Sequence, residues 1–285
     1  MDSVGLSPLA QELATGADHY MDVKSLTLAG MVIIIFDWLL TFEMEVSHIW
    51  QAPWNRMKVL YILSRYMPFI DVTAATLFMS GGVLPVETCE KIYQCAGVMF
   101  CIGDAIADLI FTLRTWVVWG KSKSLGTGLA AFYVVIWVVA IPTPFVLYLR
   151  TIVYAPSPAP HILGCLSQSV GLLFSVSFAG SMLFNLVMLL LMIIRAISWY
   201  RLGAKSDLTR MIYRDGIIYY VYTFIFSTLN FLVILKFPKD YTDLLFTMDR
   251  VLHSVLSCRV VLHIRQQRQL EVMEVEPPNG LWLPK

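Results

Sequence analysis

Apolar positions in this chain fall in long uninterrupted runs, separated by short segments that carry most of the charge. A bilayer core of about 30 Å takes about 20 helical residues. Seven runs of roughly that length stand along the chain: Leu26–Phe42, Val59–Ser80, Ile92–Leu113, Leu129–Leu149, Gly171–Ile194, Ile217–Leu235 and Leu244–Ile264. Rods apolar on every side belong in lipid or deep in a core. The pattern therefore predicts an all-α, polytopic membrane protein: a bundle of seven transmembrane helices over residues 26–264, after a polar segment 1–25 and before a tail 265–285.

The interruptions carry information of their own. Glu43 and Glu45 close the first run, Pro68 falls inside the second, and Pro142 and Pro144 predict a kink near the end of the fourth. The link from Arg150 to Val170 holds Pro156, Pro158 and Pro160 and reads as an ordered or extended loop. Glu271 to Lys285, with three prolines, reads as a short disordered tail.

Composition agrees with the pattern: 58% of residues are hydrophobic and 14% charged, against roughly 45–50% apolar in soluble domains. The net charge of +1 gives no field for nucleic acid. Position matters more than total. If the N-terminus lies outside, fourteen Lys and Arg residues fall on the inner side and five on the outer, with Arg65 and Arg250 inside the membrane. That asymmetry predicts an outside N-terminus and a cytoplasmic C-terminus. The rival arrangement, six spans with the first run lying on the surface, would break the alternation. Asp2, Glu12, Asp18 and Asp22 stand where a cleavable signal would be basic and then apolar, so the first helix is expected to act as its own insertion signal. No Asn-x-Ser/Thr sequon occurs. The count does not separate plasma membrane from endomembrane.

Ionisable side chains within a span are costly and call for partners or a purpose. At ~1.5 Å per helical residue, Asp37 and Arg65 lie at similar depth on adjacent antiparallel helices and form a candidate ion pair. Asp108 and His253 come near the same level, making Asp108 a second candidate partner for Arg65. Further out lie Asp104, Asp249 and Arg250, with Asn185 at a like height and Asp71 beyond. Asp104 and Asp108, four residues apart, share one helix face. Two readings of this set stay open: a polar cavity that binds a ligand or relays ions, and a fixed salt-bridge network that sets helix register.

Of the five cysteines, Cys89 and Cys165 are expected on the outer, oxidising side and form a candidate disulfide, with Cys95 as rival partner and two free thiols as the alternative. There is no CxxC pair, HExxH, GxSxG or P-loop, and the five histidines do not cluster at metal-ligand spacing. Catalytic residues, metal ligands and cofactors are accordingly not expected, nor is enzymatic activity. The span Leu244–Ile264 has no Lys to hold retinal.

The stretch DWLLTFEMEVSHIW followed by KVLYILSRYMP, Asp37 to Trp50 and Lys58 to Pro68, resembles the signature of a family of basidiomycete-fungal membrane proteins defined by an N-terminal segment named domain of unknown function 6533. Fainter likeness continues at LRTWVVWGKSK (Leu113 to Lys123), YRDGIIYY (Tyr213 to Tyr220) and SCRVVLHIRQ (Ser257 to Gln266). The resemblance implies seven helices in a fungal membrane and assigns no activity. Three functions remain in contention. A receptor-like sensor would take a small-molecule or peptide ligand on the outer side and engage a cytoplasmic signalling protein. A small carrier would use Asp71, Asp104 and Asp249. A membrane adaptor would use its charges only to lock the fold. The lipid bilayer is a partner in all three.

Overall fold

The computed structural model describes the backbone at residues 8–80, 85–155, 165–168, 171–201, 207–237, 241 and 243–275. Within these, α1 (Pro8–Glu45) runs into a π-helical turn (Val46–Trp50), and α2 (Arg56–Ser80) and α3 (Val86–Val118) follow. Next, α4 (Lys123–Val134), a second π-helical turn (Val135–Ala140) and α5 (Pro142–Thr151) make one interrupted rod. A two-stranded antiparallel ribbon of β1 (Val153–Ala155) and β2 (Leu166–Gln168) leads to α6 (Gly171–Arg201), α7 (Asp207–Lys236) and α8 (Phe246–Val275).

Several elements are longer than the apolar runs predict. The first helix begins eighteen residues before Leu26, and α8 continues past Ile264, so part of each flanking segment is helical. Of the stretch expected to be disordered, Glu271 to Val275 is the end of α8; the remainder, 276–285, and 156–164, with the three loop prolines, lie outside the described residues.

Five stretches are long and apolar enough to cross a membrane: residues 15–50, 86–118, 123–151, 174–201 and 217–236. They make the chain an integral membrane protein that is helical but for the short ribbon. The two remaining long helices, α2 and α8, fall short because they carry Arg56, Lys58, Arg65 and Asp71 in one and Asp249, Arg250 and Arg259 in the other. These less apolar helices are the inner ones. Along α8, Val251, His253, Ser254, Ser257, Cys258, Val260 and Leu262 are all buried, against α1, α2, α3 and α7. The outer helices show the reverse: Val32, Phe36, Leu39 and Leu40 of α1 are exposed, while Asp37, Thr41 and Glu45 are buried. Polar residues face inward and apolar ones outward, as expected for lipid.

Two prolines shape the bundle. Pro68 sits within α2 and has no N–H to offer the carbonyl of Ser64. Ser254 of α8 donates to that carbonyl instead, at 2.6 Å, and the Ser64 and Ser257 hydroxyls meet at 2.9 Å. Pro142 starts α5 where the π-helical turn ends, the predicted kink, and the Ser177 hydroxyl of α6 donates to the neighbouring Ile141 carbonyl at 3.1 Å.

Candidate functional site

Two buried charge centres lie along α8. The first joins α1, α2 and α8. Asp37 receives Arg65 Nη1 on one carboxylate oxygen and Arg259 Nε on the other, both at 2.6 Å. Arg65 reaches on to Glu45 at 3.3 Å and to the hydroxyl of Thr41. Glu45 in turn accepts hydrogen bonds from Tyr66 at 2.7 Å, Trp50 Nε1 at 3.2 Å and Tyr61 at 3.3 Å. Two acids meet two bases, and the centre is electrically closed. Asp37, Thr41 and Glu45 stand four apart and so occupy one helix face. Beside it, the buried Lys58 ammonium donates to the carbonyls of Trp50 and Ala52 at 3.0 and 2.8 Å, and Arg265 donates to that of His48 at 2.8 Å. Both cations cap the frayed end of the first helix, where carbonyls lack partners and the helix dipole is negative.

The second centre joins α2, α3 and α8. Arg250 Nε meets Asp71 at 3.0 Å and its Nη1 lies 3.6 Å from Asp104. His253 lies 3.6 Å from Asp108 through Nδ1 and 3.6 Å from Asp249 through Nε2. The Arg250 guanidinium occupies the space that a Cβ on Gly103 would need, so a larger residue there would have to push it aside. Four carboxylates thus face two bases. One oxygen each of Asp71, Asp104 and Asp249, and both of Asp108, are buried without a hydrogen bond.

Asp104 and Asp249 also line a cavity of about 40 Å³ with Trp137, Ile141, Ser177, Ser181 and aromatic residues. A second cavity of about 40 Å³, towards the disulfide end, is lined by Thr27, Met79, Tyr93, Gly97 and Asp243 among others. Phe145, Phe174 and Phe246 belong to both walls. They are packed as a plug, with Tyr148 stacked on Phe174 at 4.5 Å and Phe100 on Phe246 at 4.3 Å. At the far end of the second cavity, the Tyr93 hydroxyl meets that of Tyr148 at 2.9 Å and Asp243 at 3.2 Å. Desolvation pushes the Asp243 carboxyl up to about 6, with the Tyr93 hydrogen bond holding it back. Cys89 and Cys165 form a disulfide there, with Cα atoms 5.9 Å apart, and the Cys165 N–H donates to the Phe78 carbonyl at 3.1 Å.

Set against expectation, Asp37 and Arg65 meet directly, and Cys89 meets Cys165 while Cys95 is a free, exposed thiol. Asp71, Asp104, Asp108, Asp249, Arg250 and His253 come together. Two details need correcting. The second acid on Arg65 is Glu45, because Asp108 is turned towards His253. Asn185 stands apart from the carboxylates, its amide donating to Ser227 at 2.8 Å in the seam between α6 and α7. Sequence reasoning passed over Glu45, Lys58 and Arg259 as partners. The four-residue spacing from Asp37 through Thr41 to Glu45 was the available signal for the first. Asp243 offered none, since its partner Tyr93 is distant in the chain.

A family profile described as a family of unknown function (DUF6533) matches residues 25–70. The match takes in Asp37, Glu45 and Arg65 of the first centre and stops one residue short of Asp71. No curated protein matches the chain.

Proposed function

We propose that the protein is a seven-helix, receptor-like membrane sensor, with the N-terminus outside, residues 26–264 as the membrane domain and residues 265–285 in the cytoplasm. It takes a small ligand in its outer half and passes the change to a cytoplasmic partner. The lengths of α2 and α8, 25 and 30 residues, amount to ~37 and ~45 Å of helix. That is enough to cross beside the five apolar rods with their charges turned inward. The Lys and Arg asymmetry supports the orientation, and a disulfide at the opposite end from Lys58 and Arg265 suits an oxidising exterior.

The observation that carries the reading is the continuity of α8. Phe246 and Asp249 touch the aromatic-lined cavity, and ten residues further on Arg259 closes the Asp37 centre, ~15 Å along one helix. Movement of α8 at the cavity is therefore felt at the inner end. There Arg195 lies over Trp119 and Trp199, at 5.5 and 5.6 Å, and donates to the Val118 carbonyl. This ties α6 to the end of α3 beside the basic inner surface.

The test places spin labels at Lys121→Cys and Arg201→Cys in a Cys95→Ser, Cys101→Ser protein held in nanodiscs. Distance distributions are read with and without small molecules that raise the melting temperature. The sensor reading expects a shift of a few ångströms for at least one such compound. Unmoved labels with every stabilising compound refute it.

A proton- or ion-coupled carrier is the second reading, favoured by the surplus of acid in the second centre. Sustained solute or proton uptake into sealed vesicles would put it first.

A further inference from the structure

We propose that the second charge centre binds one compact monovalent cation, an alkali-metal ion or a small protonated amine, between Asp104 and Asp249 where both line the cavity. This deepens the sensor reading by naming the class of ligand its site takes.

Charge is the first argument. Asp71, Asp104, Asp108 and Asp249 are paired only with Arg250 and His253 among the described residues. Even with His253 protonated, the surplus is two negative charges. Uncompensated charge buried in a membrane bundle costs several kcal/mol, so the surplus calls for neutralisation by a bound cation, by protons or by one of each.

Geometry says where it goes. The Asp249 side chain is 4% exposed, and its Oδ1 accepts no hydrogen bond, with the nearest cation His253 Nε2 at 3.6 Å. Asp104 Oδ1 is likewise buried without a hydrogen bond, 3.6 Å from Arg250. Both residues face the same cavity, whose far wall holds Ser177 and Ser181.

Size and donor type set the class of ligand. A cavity of about 40 Å³ takes roughly three waters, or an ion with part of its hydration shell. No three His, Cys, Asp or Glu side chains converge at metal-ligand spacing among the described residues. A divalent ion with its larger oxygen set is therefore disfavoured. The aromatic wall of Phe174, Phe178 and Phe246 suits a weakly hydrated positive charge.

The experiment measures thermal unfolding of the full chain in nanodiscs at equal ionic strength in sodium, methylammonium and N-methylglucamine chlorides. A binding cation stabilises the folded state by mass action. Sodium or methylammonium should raise the melting temperature by ~2–4 °C over the bulky N-methylglucamine. Whichever does so identifies the source of the charge. Asp249→Asn should abolish the difference and Asp104→Asn should weaken the apparent affinity at least about tenfold. Equal melting in all three salts, or a difference that survives both substitutions, overturns the proposal and leaves protonation to neutralise the surplus. The wild-type comparison decides even where a variant does not fold. The two readings fail separately: a salt-insensitive protein whose inner labels respond to another compound loses only the cation site, and a cation-binding protein with unmoved labels loses only the sensing.

Discussion

Arg65 is among the largest fully buried side chains, and it is held by both Asp37 and Glu45. Removing one partner of a buried pair strands the other, a loss of about 3–5 kcal/mol. Arg65→Ala is expected to destabilise on that scale, measured by reversible unfolding in mixed micelles. Adding Asp37→Ala should cost less than the sum of the single changes, with a coupling of about 1–3 kcal/mol. Relief is only partial, because Asp37 also neutralises Arg259 and Glu45 keeps its claim on Arg65. Strictly additive losses would mean that the two residues do not share one interaction.

At the scale of the element, α2 and α8 recognise each other through a backbone defect. The Ser254 hydroxyl fills the carbonyl that Pro68 leaves open on Ser64. Ser254→Ala is expected to cost about 1–3 kcal/mol, the penalty for a buried acceptor left bare. In a Pro68→Ala background the amide of residue 68 can serve that carbonyl, so the same change should cost much less. An equal cost in both backgrounds would assign Ser254 some other role. The elements themselves were legible in the sequence because lipid imposes a single demand, long apolar stretches. The helix ends were not, since α1 upstream of Leu26 and α8 downstream of Ile264 are polar and extend beyond the apolar runs. Counting along the helices also brought Asp37 to the level of Arg65. Rotation about the helix axis was not legible, and rotation is what sends Asp108 to His253 and Asn185 to Ser227.

Across the whole molecule, the two ends respond to different conditions. The disulfide end is closed by Asp243 against Tyr93, which also meets Tyr148, and this carboxyl is raised from its ordinary 3.8 to about 6. A raised acid favours the folded state while it is protonated. Its contribution is therefore complete below pH about 4 and is lost as pH climbs through about 6. Melting temperature should fall across that window, and Asp243→Asn should flatten that part of the profile. An unchanged slope in the variant would place the titrating group elsewhere. The opposite end, with a closed two-acid, two-base centre and Lys58 and Arg265 on backbone carbonyls, should respond to the loss of a single side chain.

The central place of α8 has a consequence for how the chain is made. Synthesis runs from the N-terminus, so α1 and α2 are made with Asp71 and the open Ser64 carbonyl still without their partners, while Arg250, Ser254 and Arg259 are untranslated. The early helices must be sheltered until the last one arrives. A chain cut short before residue 246 would keep Asp71 and the Ser64 carbonyl without these partners.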